Sequence, residues 1–305
     1  METKQKRQNV LMIMCDQLRP DFLHAYGADF IPTPNIDALA ADGAVFENAI
    51  TASTVCAPAR ASFLTGLPVS GHDAWTNLVP CRAGLEFFPE RMSEAGYMTA
   101  AVGCYDHFPF DAPFGYRYRK INLGGMEGCD YAKYLKKKYP DETTVYPKDE
   151  NSRFKYPEED FYDRWSADCA VEFIDCYAKT KKAPDGVGVS EDAPFFLYCG
   201  FVSPHGPLIP PREVEGTVDV DKLPAVLVQP RPAEDIPTIE LYRSAFLNSP
   251  EEFVNPHSAD EKRMKDRQLY AEMIVEVDNL VGRIVASLKE NGIYEDTVII
   301  FTSDH

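Results

Sequence analysis

Val10-Leu11-Met12-Ile13-Met14-Cys15-Asp16-Gln17 is a run of six apolar residues that stops at an acid. Unbroken apolar character over so short a length predicts a strand covered on both faces, as in a parallel sheet, with Asp16 at its carboxyl end. Outward from this stretch the same pattern recurs. Tyr97–Val102, Ala193–Phe201 and Thr297–Phe301 read as further strands. Helical patterns lie between them: Asn35–Asp42 closed by Gly43, Pro58–Gly66 opening just after Cys56, Phe88–Glu94, Glu159–Lys179 and Ala259–Glu290. The stripe Leu269, Met273, Val277, Leu280, Ile284, Leu288 marks the buried face of the last helix, and Phe161, Trp165, Cys169, Phe173, Cys176 that of the preceding one. Strands alternating with helices predict an open α/β sheet with its site along the carboxyl edge. Residues 106–192, rich in Tyr, Lys, Pro and acids, read as an irregular excursion around one helix, and the whole of 1–305 as a single domain.

Composition narrows the function. The 305 residues are 45% hydrophobic, 12% aromatic and 26% charged, the makeup of a folded globular chain. The net charge of −17 repels phosphate backbones and anionic bilayers, so neither nucleic acid nor a membrane is an expected partner. An anionic small substrate then needs a local cation. The leader carries Lys4, Lys6 and Arg7, but the apolar run behind it is short for a secretion signal, and no stretch approaches the ~18 apolar residues of a membrane span. Eight cysteines without a Cys-x-x-Cys pair suit a reducing compartment, so a cytoplasmic protein is expected.

Three strand ends carry groups of the kind that hold a divalent cation or move a proton: Asp16-Gln17, His205 and Asp304-His305. The most specific signal is Cys56-Ala57-Pro58-Ala59-Arg60, followed by Leu64-Thr65-Gly66. Together with Asp16-Gln17, Thr33-Pro34-Asn35-Ile36-Asp37, Ala95-Gly96-Tyr97, Ser203-Pro204-His205 and Thr302-Ser303-Asp304-His305, it resembles the sulfatases of the alkaline-phosphatase superfamily, over residues 9–305.

The resemblance implies an alkaline-phosphatase-like, mostly parallel open sheet with helices on both faces. It implies that a maturation enzyme oxidises Cys56 to formylglycine, whose hydrate attacks a small anionic ester. One hydroxyl then displaces the alcohol, and deprotonation of the other expels the anion and restores the aldehyde. By the same resemblance Arg60 holds the hydrate and a ligand oxygen, and His205 protonates the leaving oxygen or contacts the transferring group. Asp16, Gln17, Cys56, Asp304 and His305 bind the metal, Ca²⁺ first with Mn²⁺ or Mg²⁺ as alternatives, and Asn77 binds the anion.

The departures are equally specific. Where many sulfatases have Gly-Lys-x-His, this chain has Gly103-Cys104-Tyr105-Asp106-His107, so the lysine is absent and Tyr105 is expected either to replace part of its grip on the anion or to pack on the core as a strand-end tyrosine. Asp16-Gln17, Asp304-His305 and Asn77 look more like the phosphonate monoester hydrolase and choline-sulfatase side of the family. The family also continues past the Asp-His pair with a catalytic lysine and a smaller C-terminal subdomain, absent from these 305 residues, which implies a fragment or a truncated product. Three activities follow as alternatives: sulfate-ester hydrolysis, phosphonate monoester or phosphodiester hydrolysis on the same scaffold, and an inactive truncated chain.

Overall fold

The computed structural model describes residues 7–123, 128–225 and 260–305. Five strands form one sheet in the order β3-β2-β4-β1-β5: β1 Asn9–Asp16, β2 Met98–Cys104, β3 Tyr118–Asn122, β4 Phe195–Pro204 and β5 Thr297–Ser303. Every pairing among them is parallel. Seven α-helices accompany them among the described residues: α1 Pro34–Asp42, α2 Cys56–Thr65, α3 Val69–His72, α4 Phe88–Glu94, α5 Asp130–Lys138, α6 Tyr162–Thr180 and α7 Asp260–Glu290. Ala259, expected to begin α7, lies outside the described residues, as does the connection from 226 to 258. No described helix is long and apolar enough to cross a membrane.

The twofold alternation of side chains along a strand sorts the core into two layers. Leu11, Ile13, Cys15, Met98, Ala100, Val102, Leu197 and Cys199 pack with α1, α6 and α7 on one face. Met12, Met14, Ala101, Phe196 and Tyr198 pack with Leu64 of α2 and Phe88 and Met92 of α4 on the other. Helices therefore cover both faces, which is why Val10–Cys15 of β1 and Phe195–Val202 of β4 carry no charged residue and are almost wholly apolar. The predicted stripe of α7 is buried at all six positions, whereas Trp165 and Cys176 of the α6 stripe are only partly covered.

The stretch 106–192 is more ordered than its composition suggests. It contains an added strand, β3, and an added helix, α5, besides α6. β3 is an edge strand with Arg119 and Lys120 half-exposed, so it lacks the apolar run of the central strands, and α5 buries only Tyr131 and Leu135, four residues apart.

β2 and β4 approach so closely at Gly103 and Gly200 that a Cβ on Gly200 would sit 2.0 Å from the Cys104 carbonyl oxygen and 2.9 Å from the Tyr198 hydroxyl. That carbonyl accepts hydrogen bonds from Arg60 and Tyr198 and cannot easily retreat. Gly200→Ala is therefore expected to destabilise the fold by about 3 kcal/mol or more, read as a fall in the denaturant midpoint. A midpoint unchanged from the parent would refute the close packing of these two strands.

Candidate active site

The carboxyl ends of β1, β2, β4 and β5 meet the amino end of α2. The β1–β5 ladder is regular to Cys15–Ser303, where Gln17 (φ +62°) turns the chain away. Three bonds hold this turn: Asp304 N–H to the Cys15 carbonyl at 3.1 Å, Gln17 N–H to Asp304 Oδ1 at 3.1 Å, and Leu18 N–H to Ser303 Oγ at 2.9 Å. Gln17 is exposed; its backbone is tied into the site and its carbonyl accepts the Tyr270 hydroxyl at 2.7 Å.

Helix α2 starts at Cys56. Pro58 suits a first turn that has no use for its missing N–H, and the capping acceptor comes from outside the helix, with Asn77 Oδ1 accepting the Ala57 N–H at 3.1 Å. The capping bond places Asn77 beside Cys56, and the donors of its carboxamide nitrogen have no partner among the described residues.

One ligand atom each from Asp16, Cys56, Asp304 and His305 lies within 4.8 Å of the others, and three of these residues are buried. His305 Nε2 is 3.3 Å from Cys56 Sγ, 3.4 Å from Asp16 Oδ1 and 3.8 Å from Asp304 Oδ1. The hydrogen bonds to Asp16 and Cys56, with two carboxylates near, push His305 up to about 10. Burial works against the charge on Asp16, but His305 and Arg60 outweigh it and hold that carboxyl below its ordinary value. Burial raises the Cys56 thiol, with Asp16, Asp106 and Asp304 adding to the effect, so the residue as encoded stays a thiol.

The donor set fits one divalent cation. Two carboxylates and an imidazole suit a hard or borderline ion; sulfur is the misfit, and an oxygen at position 56 would remove it.

Arg60 lies beneath this group, fully buried. Its Nε donates to Asp304 Oδ2 at 2.8 Å and Nη2 to Asp16 Oδ2 at 3.2 Å, while Nη1 reaches the Tyr198 hydroxyl at 2.7 Å and the Cys104 carbonyl at 3.3 Å. The guanidinium thus braces both carboxylates. No hydrogen bond joins it to Cys56 among the described residues. Tyr198, which the sequence did not single out, completes the brace from β4.

His205 follows β4, half-exposed. Its Nδ1–H donates to the Gly206 carbonyl at 2.7 Å, and the ring lies near enough to Asp16 to favour that carboxylate's charge.

Tyr105 requires a correction. Instead of facing an anion it is fully buried, with its hydroxyl turned to the carbonyls of Ala112 and Pro113 at 3.3 and 3.2 Å. Residues 101, 103 and 105 share one face of β2 and its continuation, so Tyr105 packs with Ala101, Phe114 and Tyr116 in the α2-side core. The next residue, Asp106, lies close enough to Asp16, Asp304 and Arg60 to feel their charges. Burial raises its carboxyl, and its charge is felt at Asp16 and Cys56, so it is an acid of the site rim. A strand-end acid was the signal that could have found it.

The family model described as Sulfatase matches residues 8–305. The chain is 30% identical over 329 residues to the multifunctional alkaline phosphatase superfamily protein PehA of Trinickia caryophylli, covering 98% of this chain and 63% of that protein. It is 29% identical to the arylsulfatase of Clostridium perfringens, with 98% and 63% covered. Among solved structures, the phosphonate monoester hydrolase of Agrobacterium radiobacter superposes with a TM-score of 0.78 at 27% identity, with 98% of this chain and 62% of that one covered. The chain thus spans less than two thirds of the length of these relatives.

Proposed function

From the chain's membership of the sulfatase family, within the alkaline-phosphatase superfamily, we propose that it hydrolyses sulfate monoesters at the cluster of Asp16, Cys56, Asp304 and His305. The observation that carries this reading is the convergence of the Cys56 sulfur on His305 Nε2 and Asp16, whose carboxylate and that of Asp304 are paired with a buried arginine.

In this reading Asp16, Asp304 and His305 hold a divalent cation, Ca²⁺ before Mn²⁺ or Mg²⁺, with residue 56 as a fourth ligand once oxidised to formylglycine. The bound cation supplies charge stabilisation for the sulfate oxygens, and the formylglycine hydrate supplies the nucleophilic oxygen. Arg60 bridges the two carboxylates and offsets their mutual repulsion when no cation is bound. Asn77 presents its free amide donors toward the anion beside the start of α2. His205, with Nδ1–H held by the Gly206 carbonyl, passes a proton from Nε2 to the departing alcohol oxygen when the ring is in its imidazolium form, which matters most where that alcohol is a poor leaving group.

The likeness to a phosphonate monoester hydrolase and to a relative described as multifunctional supports a second reading, in which the same groups cleave phosphonate monoesters or phosphodiesters. Such substrates carry the same single negative charge, so the electrostatics serve either. The test compares kcat/KM for an aryl sulfate, an aryl phosphonate monoester and an aryl phosphodiester on the matured, metal-loaded full chain. The sulfate is expected to be turned over best. The reverse order assigns the second reading, and turnover of none refutes both.

A further inference from the structure

At its carboxyl end β4 departs from β1. Cys15 faces Phe201 but Asp16 faces Pro204, so Val202 and Ser203 are extra residues with no counterpart on β1. A bulge of this kind takes backbone donors out of the ladder, and in a buried position they need another acceptor. Both find it in one carboxylate: the Val202 N–H donates to Asp163 Oδ1 and the Ser203 N–H to Asp163 Oδ2, each at 2.8 Å. Asp163 is the second residue of α6 and is wholly buried, so water offers no substitute. The bulge also closes on itself, with the His205 N–H donating to the Val202 carbonyl at 3.0 Å.

We infer that Asp163 is a positioning residue for His205: by gripping both amides of the bulge, it sets where the imidazole stands relative to the Asp16–Cys56 cluster. Each amide takes a separate oxygen of Asp163; a carboxylate supplies both acceptors, whereas a carboxamide replaces one of them with a nitrogen that cannot accept. α6 is anchored in the core by Ala167, Ala170, Phe173 and Ile174, so it gives the bulge a fixed reference. The inference rests on the reading of His205 as the proton donor to the leaving group.

The test uses the full chain with His205→Ala, Asp163→Asn and the double variant, assayed on an alkyl and a nitrophenyl sulfate. His205→Ala is expected to lower kcat/KM roughly 100-fold on the alkyl ester and much less on the nitrophenyl ester. Asp163→Asn should reproduce that selectivity, with a loss of about 10-fold on the alkyl ester alone, and the double variant should be no slower than His205→Ala. Equal losses on both esters from Asp163→Asn, or additive losses in the double variant, overturn the inference while leaving the reading of His205 standing. If His205→Ala does not discriminate between the esters, that reading is what fails. Asp163 is then judged by the rate of His205 modification with diethyl pyrocarbonate, expected to differ by about 3-fold or more in Asp163→Asn and overturning the inference if unchanged. Should Asp163→Asn not fold, hydrogen exchange of the parent decides: Val202 and Ser203 amides protected like those of Leu197–Phe201 support the grip, and fast exchange refutes it.

Discussion

Cys56→Ala is expected to lower kcat/KM on the best substrate by at least roughly 10⁴-fold, the scale of losing a nucleophile, while moving the melting temperature by no more than about 3 °C. The two halves of this expectation have separate grounds. The polar contacts of the Cys56 sulfur are with His305 and Asp16, and it belongs to none of the apolar clusters, so its removal costs little packing. The same surroundings make it a poor nucleophile as encoded, because burial and three nearby carboxylates raise the thiol when attack would require the thiolate. On the proposed mechanism, activity therefore requires conversion of Cys56 to formylglycine. In protein matured with the modifying enzyme, the peptide containing Cys56 should be about 18 Da lighter than its sequence mass. Full activity with an unmodified thiol would overturn the formylglycine mechanism.

Arg60→Met should cost about 3–5 kcal/mol at neutral pH, since it strands two buried carboxylates while roughly conserving volume. The pH dependence gives the sign. In the parent, Asp16 titrates below its ordinary 3.8, so its contribution is fully present above that value and is lost as pH falls through the lowered folded value. Without Arg60 one of the two main opponents of burial is gone and the folded value rises. Where it passes 3.8, stability is instead lost as pH climbs, and the deficit against the parent is wider at pH 7.5 than at pH 4.5. Millimolar Ca²⁺ or Mn²⁺ should restore part of it by binding the same carboxylates. Denaturant titrations at the two pH values, with and without the ion, measure all of this. A deficit independent of both pH and cation would mean that Arg60 contributes through packing alone.

Much of the architecture was written locally. Val10–Cys15 could be read as a doubly covered strand because burial on both faces leaves no polar position to blur the pattern, and α7 because one helix carries its whole apolar stripe in continuous sequence. Asp16, Cys56, Asp304 and His305 could be named because each sits at a strand or helix terminus or inside a recognisable motif. β3 escaped because Arg119 and Lys120 break its apolar run at the sheet edge, and α5 because a nine-residue helix with two buried positions offers too short a stripe to stand out from its lysines.

Other features belong to no single segment. Whether a strand-end side chain enters the site or the core depends on the parity of the strand, which turned Tyr105 inward and left Asp106 at the rim. Tyr198 supports Arg60, and Asp163 grips a bulge forty residues away; both are contacts between chain segments that meet only once the sheet order is set. The sequence by itself determined the strand and helix types and the chemical groups at the carboxyl edge, because these follow from local periodicity and motif. Only the tertiary structure decided that Arg60 spans two carboxylates and that Asp163 anchors the turn before His205, because those bonds join residues whose distance is set by the packing of the whole sheet.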